Sequence, residues 1–224
     1  MQKPTLILMP GMDGSGFLYQ PLSQLLTKQG LDNHIEPLNP HTDKYAYMDY
    51  LEDKYQGHKL ALVAESYAGH IATQLAIRGN LQIEKLVIMA SFLENPTKLT
   101  ELEKYFSMSI IQSPPLPEKA LAHALFGKTS ETELLALFKQ AMQDVSSEQL
   151  SQRISDMRSL ELPIEKVHQS TLYIQASDDW LVPARNLTSY QKVFTNLTIE
   201  KVKATHLVAQ GRAKKCCELI QQFL

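Results

Sequence analysis

Only two cysteines occur in 224 residues, and they are neighbours, Cys216 and Cys217. Adjacent cysteines rarely pair with each other, so no disulfide framework is implied and a reducing compartment fits. An excess of one charge is lacking too: 22 Lys and Arg face 24 Asp and Glu, a formal net charge of −2. That balance gives no electrostatic reason to expect nucleic acid or an anionic membrane as a partner. Long apolar runs are absent. The N-terminal "TLILM" is too short for a signal-peptide core and meets Pro10-Gly11 at once. No stretch approaches the roughly eighteen residues of a membrane span, and a cytoplasmic location is the default expectation. Metal-ligand spacing, internal repeats and low-complexity segments are not evident, so neither a metal nor a cofactor is expected. The 44% hydrophobic and 21% charged residues are ordinary for a globular protein, and the length suits one domain, 1–224, with a large core.

Six short β-rich runs are present: "TLILM" (5–9), "HIEPL" (34–38), "LALVAE" (60–65), "KLVIMAS" (85–91), "TLYIQAS" (171–177) and "LTIEKV" (197–202). Several are continuously apolar, as strands covered on both faces are. Helical patterns fall between them at 17–29, 44–56, 67–79, 184–194 and 209–223. This alternation predicts an α/β fold, a doubly wound, mostly parallel sheet of about six strands. One interval breaks the rhythm. From 92 to 168 no strand pattern occurs, and helices are expected near 97–106, 117–126, 130–143 and 146–160, with a stiff "QSPPLP" (112–117) between the first two. A helical block between the fourth and fifth strands must lie outside the sheet, as a cap over the strand ends.

Ligands of open parallel sheets bind beyond the carboxyl ends of the strands. After the first strand comes "PGMDGSG" (10–16), after the third Ser66, after the fifth "SDDWLVP" (177–183) and after the sixth "ATHLV" (204–208). A hydroxyl, a carboxylate, an imidazole and a glycine-rich loop thus converge on one edge. Serine is a poor nucleophile until a base takes its proton, and the base needs a carboxylate to fix its tautomer. Charge developing on a carbonyl oxygen needs preorganised donors, which backbone N–H groups after Ser66 and in the glycine-rich loop supply.

In these residues the chain resembles the α/β-hydrolase family over nearly its whole length. The family order of nucleophile, acid and histidine falls here on Ser66, Asp179 and His206. "AESYAG" resembles the nucleophile elbow Gly-x-Ser-x-Gly with alanine, Ala64 and Ala68, at both glycine positions. "DDWLVP" looks like the acid loop, in which the aspartate four residues before the proline is the triad member; that selects Asp179 over Asp178. Pro10-Gly11-Met12 corresponds to the first oxyanion loop, so the resemblance implies the backbone N–H groups of Met12 and Tyr67 as oxyanion donors. It also places the family's lid at the 92–168 insertion and starts the sheet at the family's third strand.

Other roles remain open for several of these residues. Ser66 alone is also a small residue at a tight turn, and Asp178 a turn former before the helix opened by Pro183. Glu94, after the fourth strand, is a second candidate acid. His70 falls on the helix leaving Ser66. The glycine-rich loop has neither a GxGxxG nor a P-loop ending, which argues against phosphate binding.

The expectation is a serine hydrolase that cleaves carboxylic esters through an acyl-enzyme. Phe106, Met108, Ile110, Ile111, Phe126 and Phe138 in the cap point to small, apolar acyl or alkyl substrates. Alternatives are a thioesterase, an acyltransferase, carbon–carbon cleavage, or a catalytically silent binding protein. In lid position the chain is also similar to biotin-pathway methyl esterases, which take substrates tethered to an acidic acyl-carrier protein. Residues 92–168 hold eight basic and eleven acidic side chains, a balance that disfavours an acidic carrier and favours a free small-molecule ester.

Overall fold

The computed structural model describes residues 3–96, 126 and 132–224. Six strands form one sheet in the order β2-β1-β3-β4-β5-β6, and every neighbouring pair is parallel. They are β1 (Thr5–Met9), β2 (Asn33–Ile35), β3 (Lys59–Glu65), β4 (Gln82–Met89), β5 (Ser170–Ala176) and β6 (Leu197–Val202). The helices are α1 (Gln20–Lys28), α2 (Lys44–Lys54), α3 (Ala68–Arg78), α4 (Thr132–Asp144), α5 (Ser147–Arg158), α6 (Leu187–Val193), α7 (Val208–Gly211) and α8 (Ala213–Phe223).

Strand side chains alternate between two apolar layers, as the period of two requires. Ile7, Met9, Leu60, Leu62, Leu86 and Ile88 pack with α2, α3 and α6 on one face. Leu6, Leu8, Ala61, Val63, Val87 and Met89 pack with α1 and α8 on the other. Both faces of the central strands are therefore covered, which explains their unbroken apolar runs. Strand β6, at the edge, exposes Thr198, Glu200 and Lys201 instead, charged and polar groups that discourage further strand pairing.

Several boundaries differ from the sequence expectation. Strand β2 stops at Ile35 rather than residue 38, because Pro37 has no N–H and the amides of Leu38 and Asn39 turn away to the Gly14 carbonyl. Strand β4 runs from Gln82 to Met89 rather than over 85–91, and the chain leaves the sheet at Ala90 with φ 45°. The helix expected over 17–29 opens with a 3₁₀ turn, Phe17–Tyr19. The C-terminal helix is divided at Arg212, φ −138° and ψ 37°. Gly211, just before the break, lies so close to the Phe126 carbonyl that a Cβ there would sit 3.0 Å from its oxygen.

Of the helices expected between β4 and β5, α4 and α5 are present, close to 130–143 and 146–160. The expected helix at 97–106, the "QSPPLP" segment and the helix at 117–126, Phe126 excepted, lie outside the described residues. Helix α5 begins in a capping box: Ser146 Oγ accepts from the Gln149 amide, and Gln149 Oε1 accepts from the Ser146 amide. Its inner face places Ile154 and Met157 in the main core. No helix among the described residues is long and apolar enough to cross a membrane.

Candidate active site

The parallel sheet brings the segments after β1, β3, β5 and β6 to one edge. At the end of β3 the chain reverses direction within a single residue: Ser66 takes φ 54°, and α3 starts two residues later. Positive φ in a non-glycine residue is strained, by about 1–3 kcal/mol, and persists only where the surroundings enforce it. Here they do. The Ser66 amide donates to the Met89 carbonyl at 2.9 Å, and the Ser66 carbonyl accepts from the Gly69 amide at 3.1 Å and from Ser91 Oγ at 2.5 Å. Ser91 is itself fixed, since Tyr190 Oη donates to its hydroxyl and Tyr173 Oη to its carbonyl.

The result presents Ser66 Oγ to His206 Nε2 at 2.8 Å. His206 Nδ1 meets Asp179 Oδ2, also at 2.8 Å. Asp179 Oδ1 accepts from the amides of Leu181 and Val182, each at 2.9 Å, so both carboxylate oxygens are held and the side chain is only 2% exposed. This order of partners fixes the tautomer. Nδ1 carries the proton toward the carboxylate, and Nε2 is free to accept from the serine. Burial by itself lowers the pKa of His206, but the charge and hydrogen bond of Asp179, with Glu65 behind, outweigh it and raise the pKa above the ordinary imidazole value. Such an arrangement can draw the proton from a serine hydroxyl and stabilise the imidazolium that forms.

The other candidates lie apart from this chain of bonds. Asp178 is exposed, its Oδ1 accepting from Ser177 Oγ, and Glu94 accepts from Ser189 Oγ. His70 is on α3, buried against Tyr67 at 4.7 Å between ring centroids. Burial, then Lys44, pushes its pKa down to about 3, which makes it neutral packing material. Both cysteines are buried in α8. Among the described residues no group of three His, Cys, Asp or Glu is placed to hold a metal ion.

Residues 10–16 lie against the elbow. A Cβ on Gly11 would sit 3.5 Å from both Ser66 Cβ and the Glu65 carbonyl oxygen. Asp13 accepts from the amide and hydroxyl of Ser15, and Gly14 and Gly16 turn the loop with φ of 64° and 83°. Met12 follows Gly11 in this loop, and Tyr67 follows Ser66 directly at the head of α3.

Four contributors carry no motif in the sequence. Gly69, rather than Ala64 or Ala68, makes the tightest approach, because a Cβ there would lie 2.0 Å from Ser91 Oγ. Ser91 braces the elbow from the segment just after β4. Glu65 is wholly buried beside Ser66 and accepts from the Ala209 amide at 3.0 Å and from Gln210 Nε2 at 2.8 Å. Its carboxylate thereby joins β3 to the helix that follows His206. Burial pushes its pKa up to about 7 against those two donors. Arg153, on α5, donates to the Met12 carbonyl at 2.7 Å.

No family model and no curated protein matches the sequence. Solved structures do. A hydrolase from Pseudomonas aeruginosa matches with a TM-score of 0.76 at 14% identity, over 99% of this chain and 89% of that one. A thermophilic esterase from Thermogutta terrifontis gives 0.74 at 12% identity, over 99% and 89%. A type II thioesterase from the borrelidin biosynthetic cluster gives 0.70 at 14% identity, over 99% and 93%. The six-stranded all-parallel sheet and these near-complete superpositions identify one architecture: the chain has the α/β-hydrolase fold.

Proposed function

We propose that this protein is a serine hydrolase that cleaves carboxylic esters of small, apolar acyl or alkyl substrates through an acyl-enzyme. The observation that carries the reading is the unbroken hydrogen-bonded chain from Ser66 through His206 to Asp179. In this reading Ser66 Oγ attacks the ester carbonyl carbon while His206 Nε2 takes its proton. The carbonyl π electrons move to oxygen, and the Met12 and Tyr67 amides hold that oxyanion. Collapse expels the alkoxide, which receives the proton from His206, and leaves the acyl group on Ser66. Water, deprotonated by the same histidine, then releases the carboxylic acid. No cofactor takes part.

The substrate preference rests on the surroundings of Met12 and Leu207. Leu207, next to His206, packs against a buried cluster of Phe126, Leu134 and Leu135, as do Leu137 and Phe138. Met12 packs against Leu18, Ala141, Met142, Val145 and Leu150. Both residues beside the reacting group therefore face apolar side chains of the 92–168 interval, which we read as a helical cap on a single domain, 1–224. A thioester is a second substrate class for the same residues, favoured by the likeness to the type II thioesterase.

The test is a panel of free acyl esters and thioesters of increasing chain length, with burst kinetics to reveal the acyl-enzyme. The expected result is highest kcat/KM for short apolar acyl or alkyl esters. Free and carrier-bound acyl methyl esters are then compared at about 20 and 300 mM salt. Efficiency on the free ester should be insensitive to salt. A strong preference for the carrier-bound form that fades at high salt would overturn the free-ester assignment.

A further inference from the structure

Helix α5 lies outside the sheet, yet two of its side chains, three residues apart, each hold one of the two residues assigned above as oxyanion donors. Arg153 Nη1 donates to the Met12 carbonyl at 2.7 Å, and Nη2 donates to Asn39 Oδ1 at 2.8 Å. Asp156 Oδ2 accepts from Tyr67 Oη at 2.9 Å, and its Oδ1 lies 3.8 Å from Lys44 Nζ. Arg153 is 5% exposed and makes no ion pair within 4.0 Å among the described residues. Burying a guanidinium against neutral acceptors is costly unless its hydrogen bonds are good. An apolar side chain would anchor α5 without that cost, as its neighbours Ile154 and Met157 do.

The surroundings are shaped to admit the cation. Gly14 has φ 64°, and a Cβ there would lie 2.4 Å from Asn39 Oδ1 and 2.6 Å from Arg153 Nη1. Asn39 in turn donates through Nδ2 to Asp144 Oδ2 at 2.8 Å, and its carbonyl accepts from Gln149 Nε2 at the same distance. The guanidinium thus bridges the loop after β1 to the segment after β2, and both to α5.

From this arrangement we infer that Arg153 is a positioning residue for the oxyanion hole: its two-pronged hold on Met12 and Asn39 sets where the Met12 amide points relative to Tyr67. The inference rests on the hydrolase reading above. Arg153 holds the Met12–Asp13 peptide through the Met12 carbonyl, which limits rotation at Met12 and so acts on the aim of the adjoining Gly11–Met12 peptide that carries the donor; oxyanion stabilisation depends on aim more than on presence. From the same helix Asp156 accepts from the Tyr67 hydroxyl, so one rigid element touches both donor residues, Met12 through its carbonyl and Tyr67 through its side chain.

The experiment measures Arg153→Ala, Arg153→Lys and Asn39→Ala in the full chain. Exhaustive labelling with a fluorophosphonate counts competent sites. The values of kcat and KM on a short p-nitrophenyl ester, and inhibition by an alkyl trifluoromethyl ketone, are then taken per labelled site. Arg153→Ala should lower kcat about 10- to 100-fold with KM nearly unchanged, and should weaken the ketone, whose adduct carries the oxyanion, by the same factor. Added ethylguanidinium should restore part of the rate. Arg153→Lys, which keeps one donor for Met12, should fall between. A residue that merely anchors α5 would lower the labelled fraction and the melting temperature and leave kcat per labelled site at the native value; that result overturns the inference alone. If Arg153→Ala does not fold, Arg153→Lys and Asn39→Ala decide by the same readout. Failure of the native protein to label at Ser66 overturns the hydrolase reading, and this inference with it.

Discussion

Strands β3 and β4 lie side by side in parallel register and end in nearly the same way. After Glu65 the chain turns at Ser66 with φ 54°; after Met89 it turns at Ala90 with φ 45°. A serine stands at or next to each turn, Ser66 and Ser91. Their surroundings differ completely. Ser66 Oγ faces the Nε2 of an imidazole whose other nitrogen is held by a carboxylate. Ser91 Oγ is spent on bracing, donating to the Ser66 carbonyl and accepting from the Tyr190 hydroxyl. Strain and a hydroxyl are common to both, so neither makes a nucleophile. In the proposed reading the base does, and the second serine holds the first in its strained conformation.

The comparison is broken most severely by exchanging which serine is removed. Ser66→Ala is expected to lower ester turnover by about a millionfold, as loss of a triad serine does, with stability changed by no more than about 1 kcal/mol. Ser91→Ala is expected to do the reverse. It leaves Tyr190 Oη with only a long contact to the Phe92 carbonyl, 3.5 Å. Stability should therefore fall by about 1–3 kcal/mol while much of the turnover survives. Denaturant melts and steady-state rates on both variants check the pair.

The next effect concerns the base. Asp179→Asn is expected to cost about 10⁴ in kcat, and Asp178→Asn, on an exposed side chain, very little. The proposed mechanism requires neutral His206, so the native rate should rise with pH through a pKa above the ordinary imidazole value. Without Asp179 the desolvation of His206 is left opposed only by Glu65, and the residual activity of Asp179→Asn should rise at lower pH. A pH–rate profile of both proteins measures the displacement.

Packing gives a smaller change. Gly69→Ala would place a methyl group 2.0 Å from Ser91 Oγ and 2.8 Å from Tyr190 Oη. Buried, tyrosine-braced Ser91 has no room to yield, so about 3 kcal/mol of destabilisation is expected from overpacking, read as a drop in denaturation midpoint. Gly79→Ala, at a helix C-terminus with φ 71° and nothing closer than a carbonyl oxygen at 4.0 Å, should cost less.

The smallest effect sharpens the β3 side. Burial raises Glu65 to about 7 from an ordinary 4.5, so the folded protein binds its proton more tightly than the unfolded chain. The stability this contributes is fully present below about pH 4.5 and is lost as pH rises to about 7. Glu65→Gln should flatten that part of the stability–pH curve.

Much of this was legible in the sequence because its signals are local. Strands β1 and β6 fall on the residues their β-rich runs mark, and Ser66 follows β3 directly while Asp179 and His206 lie in the segments just after β5 and β6, where chain order alone brings them to one edge. What was not legible depends on distant partners. The early end of β2 reflects Gly14 capturing the amides of Leu38 and Asn39, and the break at Arg212 follows a glycine packed against Phe126. "AESYAG" shows Gly69 but not why it is glycine, since the colliding Ser91 belongs to the segment after β4. Arg153 reads as one more basic residue in an acidic interval until it meets Met12, 141 residues earlier in the chain.

The central claim is that Ser66, alone among the serines at this edge, is activated by His206. It is tested most directly by treating the folded protein with a fluorophosphonate and locating the adduct by peptide mass spectrometry. The account requires one adduct per chain, on Ser66, lost in Ser66→Ala, kept in Ser91→Ala, and formed far more slowly in Asp179→Asn. An adduct on another residue, or ester turnover at the native rate in Ser66→Ala, would contradict it.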